Sequence, residues 1–95
     1  MRYLTTAAFD ESVRELPETK KKQVKKALRL AVSFFETGDL PHGLGFKPLG
    51  HEIWEIRAGL SERILFRRSQ DTVEFLLAGS HDEIRRFIKN LWYDT

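Results

Sequence analysis

The sequence predicts an α+β fold: a helical hairpin packed on a small antiparallel β-sheet, in the order β-α-α-β-β-β-α. Three observations predict it. Between Phe9 and Phe35, apolar residues recur at the three-and-four spacing of amphipathic helices. From Trp54 onward they alternate with polar residues, as half-buried strands do. The last alternating run, residues 73–78, then passes directly into another stretch of helical spacing. A chain of 95 residues makes one domain, residues 1–95.

Each element has its own warrant. "RYLTT" makes a short first strand. "FDESVREL" places Phe9, Val13 and Leu16 on one helical stripe. Pro17 interrupts, because proline disfavours helix at the residue before it and is welcome at a helix start. A long helix then runs to about Glu36, with Val24, Ala27, Leu28, Ala31 and Phe35 as its apolar stripe and Gly38 as its C-terminal cap. The segment "GDLPHGLGFKPLGH" reads as irregular, since it holds four of the six glycines and two of the three prolines. "IWEIRAG", "RILFRR" and "TVEFLLAG" follow as strands, joined by connections short enough for an antiparallel meander. Ser80 and Glu83 form a capping-box pattern, and Ile84, Phe87, Ile88 and Leu91 give the final helix, residues 81–91, its apolar stripe. "WYDT" reads as a loosely held tail.

The pattern further implies helices on one sheet face. Trp54, Ile56, Ile64, Phe66, Val73, Phe75 and Leu77 should pack there against Phe9, Val13, Leu28 and Phe35. Glu55, Arg57, Arg63 and Arg67 then share the opposite face, with Leu65 and Leu76 left over beside them.

Composition narrows the function. Hydrophobic residues at 41% and charged residues at 32% describe a globular chain. Without cysteine there is no disulfide and no thiolate metal site. No apolar run has membrane-spanning length and "MRYLTTAAF" lacks a signal-peptide core, so a cytoplasmic protein without a membrane partner is expected. The net charge is only +2, yet the positive residues cluster. Lys20, Lys21, Lys22, Lys25, Lys26 and Arg29 crowd the long helix, and further arginines stand in the sheet and final helix. Such a surface suits a polyanion, although a lysine-rich helix face is most often merely solvated. Two same-facing arginines on adjacent strands repel unless an acid or a bound anion offsets them; Glu55 and Glu74 are the nearest acids in the pattern. His81 falls at the first helical position, where backbone N–H groups attract phosphate. The plain alternative there is a solvated histidine beside a cap.

The helical hairpin, followed by "FKPLG…IWEIR…ERILFR…TVEFLLAGSH", resembles the RelE/ParE superfamily of toxins from toxin–antitoxin pairs. The likeness spans nearly the whole chain and rests most on "KPLGHEIWEIRAGLSERILFR". The resemblance implies a toxin neutralised by a cognate antitoxin and, for RelE-like members, metal-independent cleavage of messenger RNA on the ribosome. That reaction needs a base for a ribose 2′-hydroxyl, positive charge for a pentavalent phosphate and a proton for the leaving 5′-oxygen. Carried over by position, the catalytic candidates are Lys47, Arg57, Arg63 and His81. Lys22, Lys25, Lys26, Arg67 and Arg85 are candidates for RNA binding. His51, Glu55 and Tyr93 form a second rank, with Glu52 as another possible base; no cofactor and no metal ligand is implied. ParE-like members share the fold, lack nuclease residues and inhibit DNA gyrase, which is the alternative function. An acidic or amphipathic antitoxin segment is expected on the basic face or along the hairpin.

Overall fold

A computed structural model describes residues 1–93, with Tyr93 described by its backbone alone. The elements are β1 (Arg2–Thr5), α1 (Ala7–Arg14), α2 (Glu18–Thr37), β2 (Lys47–Gly50), β3 (Ile53–Ala58), β4 (Glu62–Ser69), β5 (Thr72–Ser80) and α3 (His81–Tyr93). The five strands form one sheet in the order β1-β5-β4-β3-β2. β2 to β5 pair antiparallel in sequence order, while β1 runs parallel to β5 at the other edge.

Local chemistry sets the helix ends. The Thr6 hydroxyl accepts from the Phe9 N–H at 3.0 Å and starts α1. Pro17 precedes α2, and Gly38, at φ 82°, closes it with an N–H that donates to the Phe34 carbonyl. A residue with a Cβ is strained in that left-handed conformation, which is why glycine ends the helix. The expected capping box is present at α3. The Ser80 N–H donates to Glu83 Oε1 at 3.0 Å, and the Glu83 N–H donates to Ser80 Oγ at 3.2 Å.

The sheet has a core on each face. α1 and α2 cover the first with Phe9, Val24, Ala27 and Ala31, which meet Ile56, Ile64, Phe66, Val73, Phe75 and Ala78. Glu62, only 2% exposed, is tied to this layer by Lys20 of α2 at 2.8 Å. The second core lies under α3, where Ile84 meets Ile53, Leu65 and Leu76, with Leu49, Leu77, Phe87, Ile88 and Leu91 around them.

Several expectations are corrected here. The helices do not share one face, because α3 folds back over the face opposite the hairpin. Leu65 and Leu76 are therefore buried under α3 rather than left over. Leu77 belongs to that second core too, because β5 carries a bulge: Phe66 pairs with Phe75 but Leu65 pairs with Leu77, leaving Leu76 as the extra residue. Strict alternation would have carried Leu77 to the hairpin side. The segment read as irregular contains the edge strand β2, which tolerates Pro48 because an edge position spares a missing N–H. Finally, α3 continues through Trp92 into Tyr93, residues read as part of the tail.

Candidate active site

Two neighbouring rows of strand residues build the site on the α3 face. In the first, Arg57 of β3 pairs with Arg63 of β4, and Arg63 pairs with Gly79 of β5. In the second, Lys47 of β2 pairs with Glu55, Glu55 with Leu65, and Leu65 with Leu77. His81 follows Gly79 by two residues and opens α3 at the same end of the sheet. Side chains two apart on a strand share a face, so Glu55 and Arg57 join Arg63 and Lys47 there. The register thus sets Lys47, Arg57 and Arg63 on one face, with His81 at the same end of the sheet.

The electrostatics of the rows are unbalanced. Directly opposed Cα atoms lie about 4.5–5.5 Å apart, so the paired arginines repel without an anion between them. Among the described residues, the side chains of Lys47, Arg57 and His81 form no ion pair or hydrogen bond. All three residues are exposed, and Arg63 is half-buried. Arg63 Nη1 donates to the Glu62 carbonyl at 3.1 Å, which orients one side of its guanidinium. Arg57 is held from beneath: its N–H donates to the Leu44 carbonyl at 2.9 Å, and its stem lies on Gly45. A Cβ at Gly45 would stand 3.3 Å from Arg57 Cδ, and Gly45 also has φ +64°, so glycine lets the arginine lie flat on the loop. Glu55 is 8% exposed and makes no hydrogen bond or ion pair among the described residues. A buried carboxylate in that position tempers the surrounding positive charge through proximity alone.

The remaining candidates are dispersed. Arg67 stands farther along β4 and pairs with Glu74 at 3.6 Å, so Glu74 offsets Arg67 and leaves the Arg57–Arg63 pair without an acid of its own. Lys22, Lys25 and Lys26 are exposed on α2, beyond the opposite face of the sheet. His51 and Glu52 form the two-residue β2–β3 turn, both with positive φ (53° and 66°). His51 lies edge-on to Trp92 with ring centroids 5.4 Å apart, near the end of α3 remote from His81. Tyr93 has a side chain outside the described residues.

Sequence reasoning missed a groove on α3. Leu49, Ile88 and Trp92 line it together with Asp82, Arg85, Arg86 and Lys89, and its volume is about 830 Å³. Arg85, Arg86 and Lys89 are legible in the sequence as a basic cluster, but Leu49 and Trp92 are not legible as their neighbours. The signal was the run of cations opposite the apolar stripe, ending on a tryptophan still within helical register.

No protein-family model matches the chain, and no curated protein matches it. Solved structures do. A chain of the DinJ–YafQ complex from Escherichia coli superposes with a TM-score of 0.70 at 14% identity, over 87% of this chain and 97% of that one. A chain of the RelB–RelE antitoxin–toxin complex from Methanococcus jannaschii gives 0.67 at 20% identity, over 88% and 96%. YoeB from Staphylococcus aureus, solved as a dimer, gives 0.65 at 17% identity, over 85% and 97%. The hairpin, the five-stranded sheet and the returning helix are the RelE-like toxin fold.

Proposed function

We propose that this chain is the toxin of a toxin–antitoxin pair and cuts messenger RNA on the ribosome without a metal ion. One observation carries the reading: Arg57 and Arg63 oppose each other across β3 and β4, with Lys47 and His81 at the same end of the face, and among the described residues none of the four forms an ion pair. A scissile phosphate is the anion such a row suits. The RelE-like fold supports the toxin role, since solved examples come from antitoxin–toxin complexes.

In this reading, a ribose 2′-oxygen bonds to the adjacent phosphorus and the bond from phosphorus to the 5′-oxygen breaks. The products are a 2′,3′-cyclic phosphate and a 5′-hydroxyl. Arg57 and Arg63 stabilise the pentavalent phosphate, supplying fixed positive charge where negative charge develops. Lys47 or Glu55 receives the 2′-hydroxyl proton. A protonated His81 delivers a proton to the departing 5′-oxygen. With Leu65 and Leu76 under α3, an antitoxin segment meets the basic face through charge or lies along the helical hairpin.

Primer extension on messenger RNA from a cell-free translation reaction tests the proposal. The wild-type chain should cut within codons only when ribosomes are present. His81→Ala and His81→Gln should both lose most cleavage, since glutamine hydrogen-bonds but does not deliver a proton on this timescale. Normal cutting by both variants would remove His81 from the mechanism and leave Lys47 or His51 as the acid. Gyrase-dependent DNA breaks with intact messenger RNA would replace the nuclease by the gyrase inhibitor.

A further inference from the structure

Among the described residues, Glu62 is the most deeply buried charged group, and the proposed chemistry leaves it unused. It opens β4, and its carboxyl reaches the hairpin: Lys20 Nζ of α2 stands 2.8 Å from Oε1, and the Ser61 hydroxyl donates to the same oxygen at 3.1 Å. The Glu62 side chain is 3% exposed and that of Lys20 39%. The Glu62 carbonyl accepts from Arg63 Nη1 at 3.1 Å. α2 also meets the turn just before β4, since Gln23 occupies the space where a side chain at Gly59 would begin. One residue is therefore held by α2 through its carboxyl and by Arg63 through its carbonyl.

We propose that Lys20 and Glu62 are positioning residues: their ion pair fixes the peptide that orients the Arg63 guanidinium toward the scissile phosphate. The inference deepens the nuclease reading and rests on it for the task of Arg63. The energetics favour this use over stability. Burying a carboxylate costs desolvation that the attraction of one lysine roughly balances, so a well-packed apolar pair often serves stability as well or better. Geometry is what the charged pair adds. An arginine stem turns about several bonds, and a free one spreads its charge over many positions. Stabilising a transition state requires the charge to be in place beforehand, because reorganisation during the reaction forfeits the gain. Among the described residues, the Arg63 side chain makes one hydrogen bond, and its acceptor belongs to the residue that α2 holds.

Single-turnover cleavage on programmed ribosomes, read beside melting curves, tests this. Lys20→Met should melt below wild type, because it leaves a buried carboxylate unpaired; Lys20→Met/Glu62→Gln should melt near wild type. A pair that served stability alone would regain its cleavage together with its melting point. A positioning pair would not: the folded double variant should still cut on the order of tenfold more slowly at saturating ribosomes, with an unchanged half-saturating concentration. Glu62→Gln, which leaves Lys20 able to turn into water, is the second folded variant and should be equally slow. In an Arg63→Ala background the double substitution should slow cutting no further, since the group it positions is gone. Wild-type cutting by either folded variant would overturn the proposal and leave the nuclease reading intact. A raised half-saturating concentration at an unchanged maximal rate would also overturn it and make Lys20 a direct contact with the ribosome or message. NMR relaxation of the Arg63 Nε–Hε pair reads the clamp without cleavage. Its order parameter should fall by about a third in the double variant, while the Ile64 backbone N–H keeps its value. A wild-type chain that cuts nothing on the ribosome would remove the nuclease reading; the fall in order parameter would then uphold the clamp on Arg63, and an unchanged value would overturn it.

Discussion

The two faces of the sheet solve different problems. On the hairpin face, α1 and α2 supply enough apolar surface to bury strand residues from β3, β4 and β5, and most lysines of α2 point away from the sheet. The charge that does enter, Glu62, is matched by Lys20. On the α3 face a single helix covers only part of the sheet, with four buried residues at its centre. The uncovered end carries Lys47, Arg57 and Arg63, which among the described residues form no ion pair. Complete cover favours stability. Partial cover leaves strand positions where charge stands in water at fixed spacing, which is what an anion site needs.

The largest expected effect is on the hairpin face. Phe66 is 1% exposed and touches Phe35, Phe46 and Phe75. Phe66→Ala should cost about 3–5 kcal/mol in urea unfolding. A loss below 1 kcal/mol would show that the aromatic layer is not the main source of stability. Next, Arg63→Ala should lower ribosome-dependent cleavage on the order of 10²-fold, with unfolding free energy within about 0.5 kcal/mol of wild type. Should it unfold the chain instead, the α3 face is structural and the contrast fails.

Smaller still, Ser80→Ala should destabilise by about 1 kcal/mol through loss of the α3 cap. The same cap carries a pH signature. The Ser80 backbone N–H, and then its hydroxyl, hold the Glu83 carboxyl below its ordinary value of 4.5. A lowered folded pKa stabilises above the unfolded value and is lost as pH falls through the folded one. The stability advantage of wild type over Glu83→Gln should thus shrink as pH drops below about 4.5, and an advantage independent of pH would exclude the carboxylate. On the other face the sign reverses. Burial, and then the hydrogen bond to Glu36, push the Tyr3 hydroxyl from 10.0 up to about 12. That contribution is complete below pH 10 and lost as pH rises toward 12. Tyr3→Phe should flatten the alkaline limb of the stability curve; an unchanged limb would place the titration elsewhere.

The periodicities made most of this fold legible. The helical stripes, the Gly38 cap, the Ser80–Glu83 box and the meander all follow from side-chain spacing and cap chemistry, which are local. What escaped was non-local. Alternation shows that Leu65 and Leu76 lie on opposite sides of their strands from Phe66 and Phe75, but not that α3 returns to cover them. Edge strand β2 was hidden by Pro48 and Gly50, residues that punctuate loops elsewhere. In the site, Arg57 and Arg63 were readable as a pair because two strands and a short turn determine their register. Lys22, Lys25 and Lys26 were grouped with them by charge alone, and the sheet separates the two sets.

The bulge at Leu76 has a consequence for the length of the chain. Every residue from Leu77 to Ser80 sits one step out of phase with the first half of β5, and the strand hands α3 to the face where His81 begins. A deletion that removes one of the two adjacent leucines restores ordinary alternation while keeping Phe75 opposite Phe66 and Ala78 opposite Ile64. The chain therefore holds a spare residue at that point. Shortening there trims the second core but preserves the order of faces, whereas a one-residue deletion in β3 or β4, which have no such slack, would turn a run of side chains over. Natural length variation in β5 should be concentrated at this step.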